Sequence, residues 1–341
     1  MKIRWLLSAV AFFSLLSYLG VWGYFMLTRG AEPGELPVPD PPFVSSAPIE
    51  PVSEAAGGEQ AEVSGVVPES SVSTAADLVE KQGIELSASE VDPGGFLVLT
   101  VYDEQDPQAV TVDHPFGVTV RFYPVRDHLA ALLPVKYTYE PGQYLITASG
   151  ENFLESFTVT VKDRDFPTQE LVVEQSTVDS TINSSSANEE YYARVQPTKF
   201  QSGDQALWEG AFLLPVEGRV TTEFGMQRIT NGVPGERHGG IDLAAPLGTP
   251  VLAANTGRVV FADLIALTGN TVCIDHGLGL KSWYYHMDTL SVEEGQMVQR
   301  GEPIGTVGST GFSTGPHLHF AVSVWNIYVD PQLVFDEAPA I

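Results

Sequence analysis

The sequence predicts a mainly β protein that consists of one N-terminal transmembrane helix, a β-sandwich and a C-terminal β domain. Three observations support this prediction. Residues 5–27 form an apolar run without a charged residue. Short alternating segments follow one another from residue 84 to residue 164, with DPGG and EPGQ as turns. From FLLPVEGRV onward, strand-length segments alternate with glycine-rich turns, and little of the sequence has a helical period.

The charge balance argues against a nucleic-acid partner. The chain of 341 residues has 17 basic and 43 acidic residues, a formal net charge of −26. Nucleic-acid binding needs a basic face, so this class of function is disfavoured, and the charge is better suited to solubility and weak cation binding. The single cysteine, Cys273 in TVCID, excludes an intrachain disulfide and is predicted to be a small buried core residue.

The N-terminal region predicts a signal anchor over residues 1–29. The run at 5–27 is long enough to cross a bilayer as one helix, and longer than the apolar core of a usual signal peptide. Lys2 and Arg4 precede it, and the chain becomes acidic after Arg29. The positive-inside rule therefore places the N-terminus in the cytoplasm and the rest of the chain outside. No convincing small-x-small cleavage site follows, which favours an uncleaved single-pass anchor in the cell membrane.

The remaining chain divides into four parts by composition. Residues 30–83 are rich in Pro, Ser and Glu and predict an acidic disordered tether. Residues 84–164 predict the sandwich, and residues 165–205 predict a polar linker with a short helix around ANEEYYARV. Residues 206–341 predict a separate β domain.

The sandwich is predicted to be immunoglobulin-like from its strand spacing. The segments IELSA, GFLVLTVYD, AVTVD, GVTVRFYPV, VKYTYE, YLITASG and SFTVTVKD give about seven strands in about 80 residues. The cysteine pair and tryptophan typical of immunoglobulin domains are missing, so the prediction rests on strand count. Its histidines, His114 and His128, are assigned no function.

Two short segments of the C-terminal domain carry residue types that bind metals. His238 and Asp242 lie in RHGGIDLAAPLGTPV, where the two glycines between them predict a tight bend that runs into a strand. Imidazole and carboxylate are typical zinc ligands, and such a bend lets both converge on one point. GPHLHF places His317 and His319 two residues apart, so a strand would direct both rings to the same side.

These histidines together predict a catalytic zinc site. Such a site needs three protein ligands and an open position, which His238, Asp242 and one histidine of GPHLHF can supply. The other histidine of that pair and His286, at the end of the aromatic strand SWYYHMDTL, then remain close by for proton transfer. His276, in IDHGLGL, is predicted to be a structural turn residue.

The C-terminal domain resembles a known family in several motifs that occur in the family's order. The segments EFGMQR, HGGIDLAAPLGTPV, GNTVCIDHGLGLKSWYYHM, GQMVQRGEPIGTVGSTGFSTGPHLHF and the closing VDP are similar to those of the lysostaphin-type (LytM-type) zinc endopeptidases, peptidase family M23. The resemblance covers about residues 205–336. It implies a lysostaphin-type fold of β-sheet and barrel-sandwich strands, one zinc ion per chain, and cleavage of stem peptides or cross-bridges in peptidoglycan.

The resemblance also implies a role for each residue of the pattern. His238, Asp242 and His319 correspond to the zinc ligands, and His286 and His317 correspond to the catalytic pair. All five positions are filled, which argues against a catalytically silent member. Gly239 stands where the family often has Ser or Pro, and we expect a looser bend without loss of chemistry.

Two other classes of function share features with this sequence. The strands also resemble biotinyl- or lipoyl-carrier domains, but Lys281, the only lysine after residue 205, lacks the flanking residues of an attachment site. A catalytically silent protein that binds the wall or activates another hydrolase remains an alternative, since intact ligands do not prove turnover. The sandwich module is a candidate for binding the wall or a protein partner.

Overall fold

The computed structural model describes residues 83–102 and 104–341, and this part of the chain is mainly β, as predicted. The predicted anchor at 1–29 and the predicted tether, apart from Gly83, lie outside the described residues. Within the described ranges no helix is long and apolar enough to cross a membrane.

The first module is a sandwich of two four-stranded sheets. The strand orders are β1-β3-β6-β5 and β2-β8-β7-β4, and β2 and β8 are parallel. The first sheet contains β1 (Ile84–Leu86), β3 (Phe96–Val101), β6 (His128–Pro134) and β5 (Tyr123–Val125). The second contains β2 (Glu90–Val91), β8 (Leu154–Val161), β7 (Gly142–Ser149) and β4 (Thr111–Asp113). Apolar side chains of both sheets form one core between them. The immunoglobulin-like assignment of this sandwich stays a prediction.

The central strand β6, HLAALLP, was absent from the predicted strands. Leu129, Ala131 and Leu133 face the core of the sandwich, whereas Ala130 and Leu132 face the C-terminal domain. A strand buried on both faces has no polar alternation, so the period-two pattern could not reveal it. The predicted strand GVTVRFYPV is too long, because only Tyr123–Val125 is a strand. The predicted strand VKYTYE is wrong, because this segment is turn and coil.

Aromatic and charged contacts attach the sandwich to the C-terminal domain. The ring of Tyr123 stacks on Trp325 at a centroid distance of 6.3 Å, and the guanidinium of Arg121 lies 4.4 Å from the same indole. Arg164 forms a partly buried ion pair with Asp330, with 2.7 Å between nitrogen and oxygen. Together with Ala130 and Leu132 of β6, these contacts dock the sandwich on the domain that follows.

Residues 165–205, predicted as a polar linker, contain regular elements in the structure. They are β9 (Thr168–Leu171), α1 (Gln175–Ser180), α2 (Ser185–Arg194) and a 3-10 helix (Gln196–Phe200). The predicted helix around ANEEYYARV is confirmed as α2, which begins where the Ser184 hydroxyl accepts a hydrogen bond from the Ala187 N–H. Tyr191 and Val195 are fully buried in the C-terminal core. A few apolar residues therefore anchor this segment despite its polar average.

The C-terminal domain is built on an eight-stranded sheet. Seven strands follow the order β10-β13-β21-β17-β16-β15-β19, and β22 pairs with β21. Their bounds are β10 (Arg219–Thr222), β13 (Ile241–Ala244), β15 (Gly257–Ile265), β16 (Gly269–Gly277), β17 (Leu280–Met287), β19 (Met297–Val298), β21 (His317–Val324) and β22 (Ile327–Val329). Strands β16, β17 and β21 are almost entirely buried, and they carry buried polar side chains, the site histidines among them, as well as apolar ones.

Two three-stranded sheets and a short helix complete the domain. The order β12-β11-β9 joins the hairpin β11 (Gln227–Thr230) and β12 (Val233–Arg237) to the strand from the predicted linker. The other sheet contains β14 (Pro250–Leu252), β20 (Pro303–Thr306) and β18 (Thr289–Leu290), and the helix is α3 (Gln332–Asp336). Cys273 is fully buried, as predicted, and Lys281 is buried rather than at an exposed hairpin tip.

Candidate metal centre

Strands β13 and β21 bring the three predicted metal ligands together. Asp242 and His319 are direct register partners in the antiparallel pair of these strands. His238 reaches them from the bend that precedes β13. His238 Nε2 lies 3.0 Å from Asp242 Oδ1 and 2.8 Å from His319 Nδ1, and the last two atoms are 2.9 Å apart. All three side chains are fully buried.

Backbone hydrogen bonds fix which nitrogen His238 presents. Its Nδ1 lies 2.9 Å from the carbonyl oxygen of Glu223, to which an Nδ1–H donates. The lone pair of the neutral ring is then on Nε2, the atom that faces Asp242 and His319. A metal-binding histidine commonly donates its other ring N–H to a carbonyl in this way.

The second oxygen of Asp242 is held by Arg228, a residue that the sequence alone did not indicate. The Arg228 side chain donates a hydrogen bond from Nη2 to Asp242 Oδ2 over 2.6 Å, and both side chains are buried. This contact leaves Oδ1 facing the two histidines. The only sequence signal for this role of Arg228 is that a single arginine occurs in a short strand of a strongly acidic chain.

The charges around Asp242 keep it ionised. Burial raises the pKa of Asp242, but His238 and Arg228 outweigh this effect and hold that pKa well below its usual value. Burial lowers the pKa of His238 and takes the pKa of His319 to about 4, so both rings are neutral near pH 7. Two neutral imidazoles and one carboxylate are a donor set that fits a divalent metal such as zinc.

His286 and His317 lie beside this cluster. The ring of His286 is 4.9 Å from that of His317 and 6.1 Å from that of His319, measured between centroids. His286 Nδ1 lies 2.8 Å from the carbonyl oxygen of Thr310, and His317 Nδ1 lies 2.7 Å from that of Gly315. An N–H on each Nδ1 can donate to these carbonyls. Within residues 83–102 and 104–341, Nε2 of either ring has no hydrogen-bond partner.

A local irregularity of β17 directs His286 toward the cluster. Its backbone has a φ of 62°, a left-handed value that is uncommon for residues other than glycine. Between Tyr284 and Met287 the register with β16 shifts, as in a β-bulge. A bulge re-aims side chains, and here it places the histidine ring opposite His317.

The loop before β21 packs closely against the end of β17, where His286 lies. A Cβ at Gly308 would overlap the backbone of Met287 and Asp288, so only glycine fits there. Gly308 also forms an isolated bridge with His317. The loop therefore reaches both histidines, and Thr310 supplies the carbonyl that holds His286.

Burial affects the charge of the His286 and His317 rings. Burial, with the charges of His317 and His319, holds the pKa of His286 well below its usual value. Burial also lowers the pKa of His317, although Asp242 opposes this effect. Both rings are therefore neutral near pH 7, with Nε2 available to accept a proton.

His276, predicted to be a structural turn residue, bonds to groups outside the cluster. His276 is in β16 rather than in a turn, and its ring bonds to the Thr256 carbonyl and the Ser282 hydroxyl at 2.8 Å each. Among the described residues, the group of His, Cys, Asp and Glu side chains that could hold a metal is His238, Asp242 and His319, with ligand atoms within 4.8 Å of one another.

The fold and this site define the C-terminal domain as a β domain with a buried His-Asp-His centre flanked by two histidines. Residues 236–331 match the family model for peptidase family M23. The match contains all five residues and supports a peptidase hydrolase of this family for the C-terminal part of the chain.

Similar proteins align over the same part. The peptidoglycan DD-endopeptidase ShyB of Vibrio cholerae is 43% identical over 93 residues, which are 27% of this chain and 22% of the relative. The DD-carboxypeptidase/endopeptidase Mpg of Neisseria meningitidis is 44% identical over 104 residues, 30% of this chain and 24% of the relative. The chain thus spans about a quarter or less of the length of these curated relatives.

A solved structure is also similar. The catalytic domain of the antimicrobial peptidase lysostaphin from Staphylococcus simulans is 32% identical, with a TM-score of 0.32, and the alignment covers 35% of this chain and 92% of that chain.

Proposed function

We propose that this protein is a zinc-dependent endopeptidase that hydrolyses peptide bonds in the stem peptides or cross-bridges of peptidoglycan. The observation that carries the proposal is the convergence of His238, Asp242 and His319 beside two neutral histidines whose Nε2 atoms have no partner among the described residues. The names of the relatives, which are peptidoglycan DD-endopeptidases and a DD-carboxypeptidase/endopeptidase, support the substrate class.

In this proposal His238 Nε2, Asp242 Oδ1 and His319 Nδ1 would hold one zinc ion per chain. Zinc supplies Lewis-acid polarisation of a peptide carbonyl and acidifies water. Glu223 and Arg228 hold the outer atoms of His238 and Asp242, which keeps their ligand atoms directed inward. Three protein ligands leave room for a substrate group.

His286 and His317 move the proton. Each ring is oriented by a carbonyl at Nδ1 and presents a bare Nε2, as a general base requires. One ring can accept the proton from the attacking water, and the protonated ring can return it to the leaving amine. The left-handed backbone of His286 is consistent with a role in catalysis, because such conformations concentrate at functional sites.

The location of the protein is part of the same proposal. The predicted anchor would hold the C-terminal domains on the extracytoplasmic side of the cell membrane, where peptidoglycan lies. The sandwich module is proposed to contact the wall or a protein partner, and its docking by Arg164 and Trp325 would then fix the direction in which it presents the peptidase.

The decisive experiment is a digest of defined muropeptides by the full chain in detergent, analysed by mass spectrometry. We expect new amino termini in the stem or cross-bridge peptides, loss of cleavage with a zinc chelator, and recovery on adding zinc. Stoichiometric zinc binding without cleavage of any muropeptide would favour the catalytically silent alternative. Cleavage that persists in chelator would contradict the zinc dependence.

A further inference from the structure

One segment outside the family match contacts the residues that support three of the site side chains. This segment, residues 166–182, contains β9 and α1 and is called the brace below. It has no residue in the candidate centre. Its contacts lie on the Gly225 turn, on strand β11, on Asn231 and on Phe312.

The first contact supports His238. The ring of Phe166 packs on Gly225, where an added Cβ would overlap it and where φ is 79°. That turn is tied to His238 by two backbone bonds: Gly225 N–H donates to the His238 carbonyl over 2.7 Å, and His238 N–H donates to the Met226 carbonyl over 2.9 Å. The position of the Phe166 ring therefore bears on the position of His238.

The second contact supports Asp242. Strand β9 pairs in parallel with β11, with Gln169 in register with Arg228. Arg228 in turn holds Asp242 Oδ2. Because β12 covers the other edge of β11, the strand that carries Arg228 is fixed on both sides only when β9 is in place.

The third contact joins the brace to the hairpin loop through one side chain. Asn231 Oδ1 accepts a hydrogen bond from the Val173 N–H over 2.9 Å, and Asn231 Nδ2 donates to the Val173 carbonyl over 2.8 Å. The backbone N–H of Asn231 donates to the Leu171 carbonyl over 2.8 Å, and its φ of 51° is one that asparagine tolerates. The amide thus continues the parallel ladder past the end of β11.

The fourth contact reaches the loop that supports His286. Leu171, Val173 and Val178 of the brace form an apolar cluster with Phe312, which is fully buried. Phe312 follows Thr310, whose carbonyl orients His286, by two residues. The cluster therefore packs the Thr310 loop against the same segment that holds the β11–β12 hairpin.

We propose that the brace is a positioning element that sets the relative placement of the metal ligands and the proton-accepting pair, with Asn231 as its main positioning residue. The inference rests on the proposed function only in taking His238, Asp242 and His319 as metal ligands. It assigns to the predicted linker a role in the geometry of the site. Residues that orient metal ligands from outside typically change metal affinity by about 10–100-fold when they are removed.

The test compares Asn231→Gly with Val172→Ser in the full chain. Glycine keeps the left-handed backbone but removes both bonds to Val173. Val172 lies in the brace but is 94% exposed, so it serves as the matched control. Co²⁺ is the probe, since its visible absorption reports coordination geometry. We expect Co²⁺ affinity to fall about tenfold in Asn231→Gly, with an altered spectrum, and to stay unchanged in Val172→Ser.

The outcomes separate the two proposals. A lower melting temperature of metal-free Asn231→Gly with unchanged Co²⁺ affinity and spectrum would overturn the brace and leave a purely structural contact. If Asn231→Gly does not fold, Phe166→Leu, which reduces packing on the Gly225 turn that is bonded to His238, should weaken Co²⁺ binding severalfold, and unchanged binding would again overturn the brace. If Co²⁺ binding responds as expected but the wild-type protein cleaves no muropeptide, the brace stands and the proposed function fails.

Discussion

The guanidinium of Arg228 donates to Oδ2 of Asp242 over 2.6 Å, and both side chains are buried beside the candidate metal centre. Replacing Arg228 by Met leaves the carboxylate without its positive partner. Removing one partner of a buried ion pair typically costs about 3–5 kcal/mol, and we expect a loss of this order in metal-free protein. Chemical unfolding with urea in the presence of a chelator measures it.

Arg228→Lys is the matched variant for this prediction. Lysine keeps the charge but not the planar fork of donors, so we expect an intermediate stability and weaker zinc binding than in the wild type. Equal metal-free stability of Arg228→Met and the wild type would contradict the importance of the pair.

The two groups of site residues are expected to respond differently to substitution. Asp242→Ala and His319→Ala each remove a ligand atom and should lose both bound zinc and activity. His286→Ala and His317→Ala should keep zinc and lose about 10²–10⁴-fold in turnover, the usual contribution of a general acid or base. Metal analysis of the purified proteins, together with muropeptide cleavage rates, distinguishes the groups. Loss of zinc from His286→Ala would show that this ring is a ligand.

Thr310 is predicted to act on turnover through His286. Its hydroxyl donates to the Met287 carbonyl over 2.7 Å and accepts from the Asn270 N–H over 2.9 Å, which fixes the carbonyl that holds His286 Nδ1. Thr310→Val keeps the shape but loses both hydroxyl bonds, so kcat should fall about tenfold while zinc affinity stays constant. Thr310→Ser should retain most of the rate. A rise in KM with unchanged kcat in Thr310→Val would indicate a role in substrate binding instead.

His276 predicts an acid-dependent loss of stability. Burial lowers the pKa of this ring from 6.5 to about 4. Between these pH values the unfolded chain binds a proton that the folded chain does not, so the free energy of unfolding falls as pH decreases and the loss is complete near pH 4. At 1.36 kcal/mol per pKa unit, His276 contributes about 3 kcal/mol to this loss.

The variant His276→Gln isolates that contribution. It should be less stable than the wild type at pH 7, because the ring's two hydrogen bonds are not both replaced, and it should lose less stability between pH 7 and pH 4.5. Urea unfolding at the two pH values gives both quantities. An equal loss in the two proteins would mean that His276 does not stay neutral in the fold.

The sequence allowed the metal cluster to be predicted because its chemistry lies in side chains at short, regular spacings. The glycine bend before β13 indicated that His238 and Asp242 converge, and the period of two in β21 indicated that His317 and His319 share one side of a strand. The number of such residues and the resemblance to the M23 family then joined the two pairs into one predicted site. The structure brings these residues together, while their individual roles remain proposals. The mainly β class could also be predicted, because many of the half-exposed strands alternate apolar and polar residues.

Several features could not be read because they depend on distant or backbone partners. Thr310 and Glu223 act through carbonyl groups, which every residue has. The bulge at His286 depends on a register shift with β16. Strand β6 is buried on both faces and so lacks alternation, and the polar average of residues 165–205 conceals the few apolar contacts of the brace.

The parallel pairing of β9 with β11 also has a consequence for the order of folding. The bonds between Val173 and Asn231 join residues 58 positions apart, whereas β15, β16 and β17 form adjacent hairpins. Contacts between distant residues close larger loops and form more slowly than local ones. A refolding chain should therefore gain its hairpins first and its full metal affinity later, so that zinc uptake would follow the recovery of β structure in time.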